Sequence, residues 1–234
     1  ACDLIPPKSV SLVFPEKMTL SFTALAKTQE GEKKEAPDDV LPLGAMTGII
    51  FHAILEKAID RGIYLDREKL QAYVEHEVHG THLDGHKKEV FELIDTAFST
   101  PLGLFCLRDV DPSQMLTEGA FCYEKNAQVE IKGFADLVFC HNGKYHLVDW
   151  KTNYLGQQRE DYAIEKLERE MERHDYFLQS RIYSEAIKKH LNVIETRPYE
   201  EIFGSAHYIF LRGLKWNGYG TLSFSPEIAT VETL

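Results

Sequence analysis

The 234-residue sequence has no apolar run approaching the ~20 residues of a membrane-spanning helix, and its amino terminus shows no signal-peptide pattern. The expectation is a cytoplasmic protein with no membrane partner. Cysteine is scarce: Cys2, Cys106, Cys122 and Cys140 stand far apart, with no C-x-x-C pair and no cysteine–histidine spacing of the zinc type. Clustered iron–sulfur ligands are likewise missing, so the four are expected to be free, buried thiols in a reducing compartment. Positive charge is in short supply too, with 26 Lys and Arg against 37 Asp and Glu and a formal net charge of −11. That balance argues against a free-standing nucleic-acid binder, because phosphate contacts need basic side chains. The objection weakens for a domain whose partners grip the nucleic acid. The chain opens Ala1-Cys2-Asp3 without a methionine, which suits a fragment of something longer. It also lacks internal repeats.

What is present is an ordinary globular composition, 44% apolar and 27% charged, organised around residues 128–153. Alternating apolar residues through Val129 and Ile131, a glycine at 133, and renewed alternation at Ala135, Leu137 and Phe139 predict a strand with a possible bend. A second strand is predicted from Lys144 to Lys151. Between them Asn142-Gly143 is the strongest short-range signal for a two-residue type I′ hairpin. His141 then pairs with Lys144, and counting back along both strands puts Asp136 opposite Asp149. Cross-strand Cβ atoms lie roughly 4.5–5.5 Å apart, and like charges so placed destabilise a hairpin.

The strand period of two puts Lys151 on the face of Asp149. The bland reading is a solvated salt-bridge cluster. Against it, Lys151 lies diagonal to Asp136 and leaves the two acids as nearest neighbours. A hard divalent cation such as Mg²⁺, held by carboxylates, water and a substrate phosphate, accounts for the pair, with the lysine orienting or deprotonating an attacking water.

Gly133-Phe134-Ala135-Asp136-Leu137-Val138, followed by Asp149-Trp150-Lys151-Thr152-Asn153, resembles the nuclease core of the PD-(D/E)XK superfamily. In detail it is similar to the carboxy-terminal nuclease domains of RecB-type helicase–nucleases. Gly48 to Glu56 is similar to the family's G-x-x-x-H-x-x-L-E helix, and Gln179-x-x-x-Tyr183 to its Q-x-x-x-Y motif. Ser21 to Leu25 resembles its opening S-[FY]-[ST]-x-L segment. The resemblance runs from about Ser21 to Gly213. It implies one or two Mg²⁺ ions, or Mn²⁺, held by His52, Asp136, Asp149 and the backbone carbonyl of Trp150. It makes Lys151, Asp149 and Asp136 catalytic, with Gln179, Tyr183 and Glu56 in support. Without it, His52 reads as a hydrogen-bonded core histidine and the stripe of Tyr176, Gln179 and Tyr183 as core packing, although a glutamine facing a sheet needs a partner.

Residues 1–40, proline-bearing and with a charged run at 29–35, read as a linker or arm, and 41–234 as the nuclease domain. Helices are expected at Ala45–Ile59, apolar around most of its circumference and so buried, at Arg67–His76 and at Lys87–Phe98. His79, His82 and His86 fall in a polar loop lacking H-x-x-x-H spacing. A strand is expected near Leu104–Arg108, and another over Met115–Tyr123, pairing with 128–140 around a Lys125-Asn126 turn. Glu118 sits where the family often has an acid, and reads as structural or substrate-facing. A helical region from Tyr162 to Leu191, with a break near His174, precedes a buried strand at Ala206–Leu211 and an edge strand at Gly220–Phe224.

The expected fold is a restriction-endonuclease-like α/β domain, a central mixed sheet flanked by helices. The implied activity is Mg²⁺-dependent hydrolysis of DNA phosphodiester bonds, as the nuclease domain of an exodeoxyribonuclease V-type subunit in double-strand-break repair and recombination. The implied partners are single-stranded DNA ends, the helicase portion of the same polypeptide, and subunits of the RecC and RecD kind. Competing readings are a non-catalytic DNA-binding or scaffolding module of the same fold, and a stand-alone nuclease of the superfamily.

Overall fold

A computed structural model describes residues 18–22 and 40–225. In chain order the strand β1 (Met18–Leu20) precedes helices α1 (Ala45–Asp60), α2 (Arg67–Val78) and α3 (Lys87–Ser99). Strands β2 (Met115–Asn126), β3 (Val129–His141) and β4 (Lys144–Lys151) follow. Then come α4 (Ile164–Arg173), α5 (Tyr176–Ile194), the short α6 (Tyr199–Ile202), β5 (Phe203–Phe210) and β6 (Thr221–Phe224). One mixed sheet holds all six strands.

The sheet is buried on both faces at its centre. Val148, Trp150, His207 and Ile209 alternate with Leu147, Asp149, Ala206 and Tyr208 along the parallel pair β4 and β5. The first set faces Phe51 and Ile54 of α1, Val74 of α2 and Phe98 of α3. The second shares a core with Leu167 of α4, Ile182 and Ile187 of α5, and Ile202 of α6. Covering a parallel pair on both sides is what makes its sequence nearly continuous in buried residues.

The β3–β4 hairpin turns at Asn142 and Gly143, with positive φ angles of 50° and 74° as type I′ geometry requires. His141 pairs with Lys144, and the expected register holds as far as Leu137 and Val148. There the ladder stops, one pair before Asp136 and Asp149. β3 has β2 along one edge, while its other edge is shared by β4 at residues 137–141 and by β1 at 129–131. β4 leaves β3 to run on with β5. The gap between β1 and β4 is a fork, and Asp136 stands in it.

Several expectations need correction. No strand forms at 104–108; a 3₁₀ turn at Leu107–Asp109 stands there instead, with Leu107 buried in the helical layer. The β2–β3 connection is centred on Ala127 and Gln128 rather than on Lys125-Asn126, with a bulge between Glu124 and Asn126. That displacement changes which residues oppose each other along the whole ladder. Helix α1 is not buried all round: Met46 and Ile49 are 61% and 59% exposed, because among the described residues nothing covers its outer face. Residues 18–20, inside the stretch expected to be an arm, pair in parallel with β3, and Phe22 packs on the α5 side of the core. The rest of that arm, including most of the Ser21–Leu25 segment, lies outside the described residues, as does Cys2. The break near His174 is real: Asp175 has a φ of 54° and separates α4 from α5. Cys106, Cys122 and Cys140 are free, but none is fully buried.

Candidate active site at the β3–β4 fork

Three elements converge on the fork. Helix α1 approaches the end of β4 closely at Gly48, where a Cβ would stand 3.1 Å from the Thr152 hydroxyl. One turn later on the same helical stripe, His52 reaches the gap, and its Nδ1 lies 3.4 Å from Asp136 Oδ1. The other oxygen of Asp136 accepts the Trp150 backbone N–H at 2.8 Å. A side-chain bond thus stands in for the missing ladder bond. It turns the Asp136 carboxylate toward β4 instead of leaving it facing Asp149 across a regular pair.

Asp149 is 1% exposed and makes an ion pair with Lys151, 9% exposed, at 2.5 Å. Lys151 Nζ also donates to Gln179 Oε1 at 2.9 Å and lies 3.8 Å from the centre of the Tyr176 ring. Gln179 Nε2 donates to the Tyr183 hydroxyl at 3.1 Å. The stripe of Tyr176, Gln179 and Tyr183 on α5 is therefore both core packing and the polar anchor of the lysine. Tyr208, opposite Asp149 on β5, donates to the Tyr176 carbonyl at 3.1 Å. Asn153, two residues past the lysine, donates to Glu170 at 2.9 Å.

Arg212 ties the site's supports together. Its buried guanidinium donates to the carbonyls of Thr152, Leu41 and Pro42 at 2.8, 2.7 and 2.6 Å. The first belongs to the segment leaving β4, and the other two to the approach to α1. The Thr47 hydroxyl, in the first turn of α1, bonds Pro42 as well. One planar cation thereby fixes the helix bearing His52 against the strand bearing Asp149 and Lys151.

The electrostatics follow from crowding like charges in a dry place. Burial pushes the Asp149 carboxyl up to about 6, a rise that Lys151 opposes and Asp136 adds to. Burial disfavours the Lys151 ammonium, yet the charge and hydrogen bond of Asp149, with Tyr176 and Asp136, together outweigh it and its pKa lies above the ordinary lysine value. Burial likewise works against protonated His52, but the hydrogen bond and charge of Asp136 carry its pKa above the usual histidine value.

Glu118 is the residue that sequence reasoning placed least firmly. The β2–β3 register sets it between the pairs Thr117–Leu137 and Gly119–Ala135, beside Asp136, with a φ of 45° that interrupts the ladder. One oxygen of Glu118, one of Asp136 and a ring nitrogen of His52 lie within 4.8 Å of one another. Placing Glu118 takes both the turn at Ala127-Gln128 and the bulge between Glu124 and Asn126, since the turn alone would set Glu118 opposite Leu137. Glu56, expected in support, pairs with its neighbour Lys57, and after burial and Asp136 its charge adds to the rise in the Glu118 pKa. The loop histidines lie elsewhere, with His82 bonding Thr47 at 2.8 Å and His79 and His86 facing Asp84 and Glu89. A cavity of about 220 Å³ opens over His52, Asp136, Asp149, Lys151 and Gln179.

A mixed sheet between helical layers, with a D…D-x-K constellation at a strand fork, defines a nuclease class, and sequence comparison agrees. Residues 23–229 match the PD-(D/E)XK nuclease superfamily, and the chain belongs to it. More particularly, it is similar to the RecBCD enzyme subunit RecB of Chlamydia pneumoniae, 31% identical over 97% of this chain and 22% of that protein. The RecB subunits of Haemophilus influenzae and Escherichia coli are 45% and 41% identical over 85 residues, 36% of this chain and 7% of each relative. The chain thus spans about a fifth of the length of the relatives it matches most fully. Among the described residues, no helix is long and apolar enough to cross a membrane.

Proposed function

We propose that this chain is a metal-dependent deoxyribonuclease domain that hydrolyses DNA phosphodiester bonds within a RecB-type helicase–nuclease acting in double-strand-break repair and recombination. The observation that carries the reading is the fork. A histidine and two carboxylates meet there beside a buried Asp149 that has a single ammonium partner.

That donor set fits a divalent cation. Three carboxylates and one imidazole offer oxygen and nitrogen at close range, and the like-charged Asp136 and Asp149 need positive charge between them. Oxygen donors suit Mg²⁺, and the imidazole makes Mn²⁺ a good substitute. His52, Asp136 and Asp149 would hold the ion, with the Trp150 carbonyl and Glu118 as further donors. Such an ion, when bound, polarises the scissile phosphate and lowers the pKa of a bound water.

The chain's own side chains do the remaining work. Lys151, charged and clamped between Asp149 and Gln179, positions the attacking water and meets negative charge developing on the phosphate. Gln179 and Tyr183 hold the lysine in one rotamer. Arg212 keeps α1 and β4 at a fixed separation, so that donors on different elements face one point. The net charge of −11 leaves most of the grip on DNA to the helicase portion and to partner subunits of the RecC and RecD kind.

The test is degradation of end-labelled linear single-stranded DNA across a Mg²⁺ titration, with Asp149→Ala in parallel. Metal-dependent cutting that disappears in the variant is the expected result. A variant that cuts like the parent, or a parent whose melting temperature ignores Mg²⁺ and Mn²⁺ and which never cuts, overturns the reading.

A further inference from the structure

A second cavity, of about 420 Å³, shares no residue with the fork. It lies between the carboxyl end of α3, the start of α4 and the loop joining β5 to β6, and its walls include Ser99, Thr100, Trp216, Asn217, Tyr219 and Thr221. None of the described residues lining it is acidic, in a chain with 37 acidic side chains. The exposed Lys215 lies outside the cavity's lining but next to its wall, its Nζ 4.2 Å from the centre of the Trp216 ring. The Thr221 hydroxyl is buried without a hydrogen-bond partner among the described residues. A buried hydroxyl left unpaired is a cost that a ligand can remove.

The walls are held in place. Gly218 and Gly220, with φ angles of 82° and 80°, turn the loop tightly around Tyr219. The Tyr219 N–H donates to the Trp216 carbonyl at 3.2 Å, and the Trp216 ring lies 5.7 Å from that of Tyr162. Tyr162 in turn accepts the N–H of Leu155, four residues past Lys151. Arg212, bonded to Thr152, begins the turn that ends at Trp216.

We infer that this cavity is a nucleobase subsite for the single strand cut at the fork, and the inference rests on the reading of the chain as a DNA-cutting domain. Two aromatic rings offer a stacking platform indifferent to base identity. Hydroxyl and amide groups meet the polar edge of the base, and Lys215 meets its phosphate. Tyr162, which touches both Trp216 and the segment leaving β4, puts the cavity wall next to the chain that runs out of the fork.

The whole chain is titrated with a ten-nucleotide oligothymidylate in EDTA at low salt, following tryptophan emission. Only two tryptophans are present, and Trp150 is buried in the core while Trp216 is half-buried. Expected is quenching that vanishes in Trp216→Phe, with affinity weakened about tenfold in Tyr219→Ala. Lys215→Glu, a change at an exposed residue that spares the fold, should weaken binding and flatten its salt dependence. Unchanged affinity in both Tyr219→Ala and Lys215→Glu, or binding by the parent without quenching, overturns the inference. The two readings fail separately. Quenching in a chain that never cuts and whose melting temperature ignores Mg²⁺ and Mn²⁺ would sink the nuclease and leave the subsite, whereas cutting with Trp216 emission untouched would do the reverse.

Discussion

The two ends of the β4–β5 ladder bury polar groups in opposite ways. At the fork end, Asp149 and Lys151 are buried as a charged pair, and the charge is kept by a partner on each side. At the hairpin end, His146 and His207 are buried as neutral rings. Their Nδ1 and Nε2 stand 3.2 Å apart, His207 Nδ1 lies 2.7 Å from the Ser223 hydroxyl, and Phe139 stacks on His146 with ring centres 5.0 Å apart. Gly204 leaves room for the His146 ring, since a Cβ there would come within 2.2 Å of it. Burial lowers the pKa of His146 to about 4 and that of His207 to about 3. The same strands thus carry one polar site built to retain charge and one built to exclude it. Fold stability alone is served by the second kind, because a neutral hydrogen-bonded pair suffers less desolvation. The charged end needs another reason to exist.

Breaking the charged end should have the largest effect. Lys151→Met leaves Asp149 buried without its counter-charge, and removing one partner of such a pair typically destabilises by about 3–5 kcal/mol. Cleavage should fall by about a hundredfold or more through loss of the group that meets charge at the phosphate. His207→Leu, at the neutral end, leaves His146 and Ser223 short of a partner but no charge uncompensated, and should cost about 1–3 kcal/mol and leave cleavage unchanged. Urea unfolding at pH 7.5 without metal, beside a cleavage assay, reads both. Equal losses from the two variants would erase the distinction between the ends.

Acid should separate the ends by sign. The folded-state pKa values of His146 and His207 lie below the unfolded value, so below about pH 6.5 the unfolded chain binds protons that the fold refuses. Stability is lost as pH falls through 6.5 toward 4. At pH 5 the loss is about 2 kcal/mol for each histidine relative to pH 7. Asp149 runs the other way. Its folded pKa is raised to about 6, so between pH 6 and about 4 the fold binds a proton that the unfolded chain does not, returning about 1 kcal/mol at pH 5. Metal-free denaturation at pH 7 and pH 5 should show a net decline of roughly 3 kcal/mol, reduced to about a third of that in His207→Leu. A His207→Leu protein with the parent's acid sensitivity would refute the assignment.

What could be read from the sequence was whatever local chemistry decides. The Asn142-Gly143 turn fixes its own geometry, and with it the hairpin register as far as Leu137 and Val148. Helix boundaries at Ala45 and Lys87 and the break at His174 follow from periodicity and local backbone. The fork could not be read this way. Where β4 abandons β3 depends on β5, more than fifty residues away in sequence, and on β1 occupying the rest of the edge. Glu118 stayed uncertain for a related reason: a bulge at Glu124–Asn126 shifts the turn, and every opposed pair in the ladder shifts with it. The outer face of α1 was misjudged because apolar periodicity reports what can be buried, not what stands above it. Arg212 has no sequence signal at all, since its three acceptors are backbone carbonyls from distant segments.

The smallest predicted effect sharpens the comparison most. Gln179 is buried against Lys151, with its oxygen accepting from the ammonium and its nitrogen donating to Tyr183. Were the charged end a structural device, Gln179→Leu would remove the hydrogen bond to the Lys151 ammonium, about 1.5–3 kcal/mol, together with the weaker one to the Tyr183 hydroxyl, and leave the chemistry untouched. Lys151 keeps Asp149 and the Tyr176 ring in that variant, so the ion pair survives. What it loses is the partner that fixes the direction of Nζ, and a lysine free to swing toward Asp149 spends less time aimed at a phosphate. The expected result is a modest loss of stability together with about a tenfold fall in kcat, KM for single-stranded DNA holding constant. Gln179→Glu should retain the aim and recover most of kcat. A fall confined to stability, with kcat intact in the leucine variant, would show that Gln179 packs the core and takes no part in aiming the lysine.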